Sequence, residues 1–130
     1  MLLRIKGLIP SDKLTIVRGI LDSADSIDGK LSAGKEAVSV KNNAELPQNH
    51  PEMARLNNIV MGLLVNHPTY QYGVLPHRIA APFYARYTPG NQYGYHVDDP
   101  IMGQADRYRT DVSITVFLNG PDEYEGGDLT

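Results

Sequence analysis

The apolar residues change their period near residue 77, and that change limits the fold more than any other feature of the chain. Before it, they recur every three to four positions in two separate stretches. Leu14, Val17, Leu21 and Ala24 form one stripe, with Ile16 and Ile20 beside them. Met53, Leu56, Val60, Leu63 and Leu64 form the other. Such spacing lines one face of an α-helix. After His77 the period is two: Ile79, Ala81, Phe83, Ala85 and Tyr87 alternate with Ala80, Pro82, Tyr84 and Arg86. Residues 110–119 are the cleanest case, with Val112, Ile114, Val116 and Leu118 on one face and Asp111, Ser113, Thr115, Phe117 and Asn119 on the other. Helices followed by closely spaced strands predict an α+β fold with the strands in a sandwich or barrel.

Local punctuation sets the expected boundaries. Residues 2–9 read as a short strand closed by Pro10, after which Ser11 is the expected N-cap and Asp12 meets the helix dipole. The first helix fades near Asp25, and Asp28-Gly29 marks a turn. A brief alternating piece, A-V-S-V-K, falls within residues 34–41 and can form a strand, and 42–49 read as loop. The second helix begins at Pro51, a residue tolerated in the first turn, and stops near Asn66 with Pro68 just beyond. Residues 69–76 are ambiguous between helix and loop. Pro82 argues for an edge position or a bulge, T-P-G-N at 88–91 is a turn, 93–98 a second strand and 99–109 a polar loop. A turn-rich acidic stretch follows, in which Gly126-Gly127 suits a hairpin and the spacing is wrong for a calcium loop. Three strands after residue 77 are too few to cover the faces of a sheet. The expectation is therefore an N-terminal piece of a longer chain, with 1–76 a helical packing region and 77–130 the first part of a β domain.

Bulk properties exclude several classes. With 130 residues, 42% hydrophobic and 21% charged, the chain is globular and of single-domain size. Its net charge of -3 is scattered, which gives no nucleic-acid surface and no basic membrane patch. The absence of cysteine removes disulfides, thiolate metal sites and cysteine nucleophiles. Arg4 and Lys6 interrupt the N-terminal apolar residues, so a signal peptide is not visible, and the longest apolar run, 59–65, is far below the roughly 20 residues that span a bilayer. A soluble cytoplasmic protein is expected, with oligomerisation left open.

Within Y-G-Y-H-V-D-D at 93–99, His96 and Asp98 stand two residues apart. On a strand that spacing puts an imidazole and a carboxylate on one face. Non-haem iron oxygenases bind Fe(II) with two histidines and one carboxylate and leave positions open for cosubstrate and oxygen, so the pair can supply two of three ligands. The competing reading is a half-exposed histidine oriented by a neighbouring carboxylate, and spacing alone favours it. No serine-hydrolase elbow, phosphate-cradling loop or H-E-x-x-H is present.

The surroundings of the pair add a resemblance. F-Y-A-R-Y-T-P-G-N-Q-Y-G-Y-H-V-D-D-P, then R-T-D-V-S-I-T-V-F-L-N and Y-E-G-G-D-L, resembles the Fe(II)- and 2-oxoglutarate-dependent dioxygenases. Within them it is most similar to the bacterial PKHD-type hydroxylases of the prolyl-hydroxylase-like branch. M-L-L-R-I-K-G-L-I, V-K-N-N-A-E-L-P and L-P-H-R-I-A-A-P-F resemble the same group, so the similarity runs over nearly the whole chain in the expected order. The resemblance implies N-terminal helices packed on a double-stranded β-helix (jelly-roll), of which only the first strands are present.

It further implies His96 and Asp98 as iron ligands, Tyr87 as a contact to 2-oxoglutarate and Thr115 as a possible lining residue, against core or plain strand roles for the last two. Arg86 and Arg109 are tempting carboxylate clamps, but the family's clamp lies further downstream, so both are taken as surface or structural. The third ligand of the family is a later histidine followed by a basic residue; no histidine follows His96 here. His50, His67 and His77 precede the motif and match no ligand position, and the first two suit capping or exposure. The implied activity couples oxidative decarboxylation of 2-oxoglutarate by O2 to C–H hydroxylation of an unidentified substrate, a peptidyl side chain being one candidate, with L-ascorbate keeping iron reduced. Loop 99–109 would flank the site as a lid or be a plain connector. The 130 residues alone are expected to be inactive, and the alternative function is a non-catalytic jelly-roll binding or interaction module.

Overall fold

A computed structural model describes residues 1–32 and 37–129 of the chain. The chain divides into two compact units, each drawn from two stretches: Met1–Ser26 with Leu46–Tyr84, and Ile27–Glu45 with Ala85–Thr130.

The first unit is built on two helices, α1 (Ser11–Ser23) and α2 (Met53–Val65), and a π-type turn over Tyr70–Val74. The 3.6-residue period is followed in part: Met53, Leu56, Val60 and Leu64 line the buried face of α2 with Leu63 half-buried, whereas in α1 Val17 alone is buried, Leu14 and Leu21 are half-buried and Ala24 falls at the C-cap. Leu56 and Val17 are completely buried, and Tyr70, Leu46 and Tyr84 close the same core. Full burial of a side chain the size of Leu56 contributes about 1.5–3 kcal/mol. Tyr84 keeps its hydroxyl satisfied by donating to Asn57 Oδ1 at 3.0 Å, and burial pushes its pKa up to about 12.

Several boundaries differ from expectation. Residues 2–9 form no strand; the segment turns at Gly7, whose φ of 63° suits a residue without a Cβ. Pro10, not Ser11, is the N-cap of α1, since its carbonyl accepts the first helical bond from Leu14 N at 2.9 Å. Helix α2 starts at Met53, two residues after Pro51, because Pro47–His50 and His50–Met53 turns precede it. The ambiguous 69–76 contains the π-type turn and ends on Leu75 in the left-handed region at φ 51°. No helix among the described residues is long and apolar enough to cross a membrane.

The second unit is made of two-residue strands: β1 (Ile27–Asp28), β2 (Lys41–Asn42), β3 (Ala44–Glu45), β4 (Ala85–Arg86), β5 (Gln92–Tyr93), β6 (Ile101–Met102) and β7 (Tyr108–Arg109). One sheet runs β1-β3-β4, another is β2-β5, and β6-β7 is a hairpin, all antiparallel. The expected strand within 34–41 is instead a 3-10 turn at Val38–Val40, with residues 34–36 outside the described residues, and the expected loop 42–49 contains β3. The strands expected over 79–87 and 93–98 shorten to β4 and β5, the polar loop 99–109 is the hairpin, and 110–119 joins no ladder among the described residues.

The chain is thus α+β, but its sheets do not close. A strand exists only where a neighbour completes its backbone hydrogen bonds, and alternation in one segment cannot provide that neighbour. Within 110–119, Val112 and Ile114 are 47% and 42% exposed, whereas Val116 and Leu118 are half-buried.

Candidate metal centre

The second unit also carries the His-x-Asp pair. Turn 88–91 forms as expected: Asn91 N donates to Thr88 O at 2.8 Å, and Asn91 Oδ1 accepts from Thr88 N at 3.0 Å. It delivers the chain into β5, which pairs Tyr93 with Lys41 and Gln92 with Asn42. Gly94 N then donates to Val40 O at 2.8 Å. A side chain at Gly94 would bring its Cβ to 3.0 Å from Val40 Cβ, so glycine permits this close approach. His96 and Asp98 follow the ladder instead of lying within it, yet their side chains still meet.

The contacts of His96 define which tautomer its neutral ring takes. His96 Nδ1 lies 2.7 Å from Gly94 O, and a carbonyl only accepts, so Nδ1 carries the proton. His96 Nε2 lies 3.1 Å from Asp98 Oδ1. With the ring neutral, a lone pair therefore faces a carboxylate, and only a proton or a metal ion between them relieves the repulsion. Backbone carbonyls commonly orient metal-binding imidazoles in this way through the second ring nitrogen. The spacing also fits: donors about 2.1 Å from a cation and at right angles lie roughly 3.0 Å apart. The imidazole is sheltered, with 22% of its side-chain surface exposed, whereas the Asp98 carboxylate is 64% exposed. Among the described residues no group of three His, Cys, Asp or Glu side chains converges, so the pair offers two ligands.

Around the pair stands a cluster that no motif indicated. The Tyr93 ring stacks on the His96 ring, with centroids 3.9 Å apart and planes inclined by 25°. Burial alternates along 41–45, so Lys41, Asn43 and Glu45 are buried while Asn42 is exposed. Lys41 Nζ pairs with Glu45 Oε1 at 2.5 Å and stands 5.1 Å from the centre of the Tyr93 ring. Burial raises the Tyr93 pKa above its ordinary value, and the charge of Asp98 raises it further. Tyr87 is raised as well, chiefly by burial; the Asn43 amide works against this and Glu45 adds to it. Both phenols are thus neutral near pH 7. The period-two polar pattern of K-N-N-A-E was the signal that could have pointed to this cluster.

The other candidates make contacts of their own. Thr115 is exposed, and none of the hydrogen bonds at His96 or Asp98 reaches it. Arg109 Nε donates to Asp111 Oδ1 at 2.7 Å, and Arg86 sits in β4 opposite Ala44. His50 Nδ1 accepts from Glu52 N and His67 Nδ1 from Thr69 N, each at 3.1 Å, so both rings make local bonds at helix borders. His77 is exposed and borders an open hollow with Arg78 and Tyr70. Beyond Asp98, Thr110 donates from its hydroxyl to Asp99 O at 2.6 Å and from its backbone to Pro100 O at 2.9 Å, which fixes the base of the β6-β7 hairpin.

Comparison with known proteins gives a consistent set of relatives. A PKHD-type hydroxylase of Thioalkalivibrio sulfidiphilus is 46% identical over 130 residues, covering 99% of this chain and 58% of the relative. One from Hyphomonas neptunium is 42% identical over 134 residues, with coverages of 99% and 58%. One from Methylobacillus flagellatus is 33% identical over 132 residues and is covered to 75% of its length by 99% of this chain. The chain thus spans about three-fifths of the length of most of these relatives. No protein-family model matches it.

Proposed function

We propose a function from a plain premise: the chain belongs to the family of PKHD-type hydroxylases. The activity we assign to the whole protein is iron(II)- and 2-oxoglutarate-dependent hydroxylation, on a jelly-roll begun by residues 77–130. The observation that carries this reading is His96 Nε2 at 3.1 Å from Asp98 Oδ1, with Nδ1 turned to Gly94 O at 2.7 Å. Bound between them, iron(II) with 2-oxoglutarate and O2 supplies the oxidising power for C–H hydroxylation, with succinate and CO2 as coproducts. His96 and Asp98 hold the metal. Gly94 keeps the imidazole in the tautomer that binds it. Tyr87 offers its neutral phenol to the cosubstrate, and Thr115 is assigned to the lining of the site. Ascorbate as reductant and a cytoplasmic setting belong to the same proposal. No histidine follows His96, so the chain supplies two ligands in the family's manner and not the third.

The test is anaerobic addition of Fe(II) and 2-oxoglutarate. A visible charge-transfer band that disappears in His96→Ala supports the reading, and a band indifferent to that substitution rejects His96 as a ligand. Among the described residues no third ligand converges on the pair, and the second reading is a non-catalytic binding module. It predicts no band at all, in this chain or in a full-length relative.

A further inference from the structure

The tautomer of His96 is fixed by Gly94, but one hydrogen bond through Nδ1 does not fix the plane of the ring. An imidazole can roll about that contact and carry Nε2 away from Asp98. The face of Tyr93, 3.9 Å from the His96 centroid, blocks that motion. Tyr93 in turn has a seat. It pairs with Lys41 across the β2-β5 ladder, and the Lys41 ammonium stands 5.1 Å from its ring centre. Glu45 anchors the ammonium at 2.5 Å, with both side chains almost closed to water at 7% and 6% exposure. Glu45 belongs to the β1-β3-β4 sheet, so the seat of the ring is tied to two sheets. Tyr95, the other tyrosine beside Gly94, is 88% exposed and has no such placement.

We propose that Tyr93, seated on the buried Lys41–Glu45 pair, is a positioning residue that holds the His96 ring in the plane that aims Nε2 at the Asp98 carboxylate before a divalent cation arrives. The proposal rests on the reading of His96 and Asp98 as a cation-binding pair. Preorganisation of this kind registers as affinity, because a ring already in place loses less freedom on binding. Groups that orient metal ligands typically account for about 10–100-fold in metal affinity.

The probe is Mn(II), titrated into the 130-residue chain and followed by paramagnetic broadening of the amide signals of residues 96–98. Tyr93→Leu is expected to bind about tenfold more weakly than the parent, at the low end of that range. Tyr93→Phe keeps a ring over the imidazole and is expected to bind as the parent does. Without metal, the His96 ring protons are expected upfield in the parent and in Tyr93→Phe, and to move downfield in Tyr93→Leu. If Tyr93→Leu binds as tightly as the parent while His96→Ala loses binding, the cation site stands and the role of Tyr93 is overturned. If His96→Ala leaves Mn(II) affinity unchanged, the cation reading fails and the proposal falls with it. Should Tyr93→Leu lose the amide pattern of α1 and α2, the metal-free parent still decides: His96 ring protons at ordinary shifts overturn the stack.

Discussion

Removing one partner of the Lys41–Glu45 pair puts the packing of the second unit to a quantitative test. The two charged atoms are 2.5 Å apart, and the side chains are 7% and 6% exposed. At an effective dielectric constant of ~20, two unit charges in contact attract by on the order of 5 kcal/mol. Desolvation of the two ions offsets much of that, so the pair's net contribution is small. Breaking it is another matter. Glu45→Met removes the carboxylate from a buried ammonium, and Lys41→Met the ammonium from a buried carboxylate, each at about 3–5 kcal/mol. The double variant buries two apolar side chains of similar length and should regain most of the loss. With a urea m-value of ~2 kcal/mol/M, each single variant moves the unfolding midpoint down by roughly 2 M while the double variant stays near the parent. Urea titrations followed by circular dichroism read all four corners of the cycle. Single variants that lose under ~1 kcal/mol would behave as exposed ion pairs do, and would refute the burial of this pair.

Other perturbations act on the packing of single buried residues. A Cβ at Gly29 would lie 1.7 Å from Asn43 Oδ1, so Gly29→Ala should cost about 1–3 kcal/mol by urea titration, and Asn43→Ala in that background should return part of it. Leu56→Ala opens a cavity at a fully buried position and should cost about 2–5 kcal/mol in the same assay. Tyr84 is raised to about 12 in the folded chain against an ordinary value of 10.0. The unfolded chain therefore ionises first as pH rises, and stability present below the ordinary tyrosine range is lost progressively through that window. Thermal melts across alkaline pH should show a shallower decline in Tyr84→Phe than in the parent; equal slopes would argue against a buried phenol.

Helices α1 and α2 were legible because their signal is local. The stripe of Met53, Leu56, Val60, Leu63 and Leu64 is written at helical spacing, and all of it but the half-buried Leu63 is buried. Strand extents were not legible, because a ladder needs a partner that the segment's own alternation does not encode. Residues 110–119 carry the best period-two pattern in the chain and join no sheet among the described residues, whereas the unpromising K-N-N-A-E contributes to two. The candidate site divides in the same way. His96 and Asp98 were visible from their spacing of two. Their neighbours were not, since Tyr93 meets Lys41 only through the register of β2 on β5, and Lys41 meets Glu45 only where the chain passes from one sheet to the other. Asn43 at that crossing buries both polar atoms of its side chain, a feature that composition could not foretell.

The central claim is that His96 presents a bare Nε2 to Asp98. Long-range proton–nitrogen correlation spectra of the imidazole, recorded above the ordinary histidine titration range, read this directly. The account predicts a protonated Nδ1 and an unprotonated Nε2 in the metal-free chain, with Zn(II) shifting Nε2 and leaving Nδ1 in place. A proton on Nε2 donated to Asp98, or a ring whose Nε2 ignores Zn(II), would contradict it.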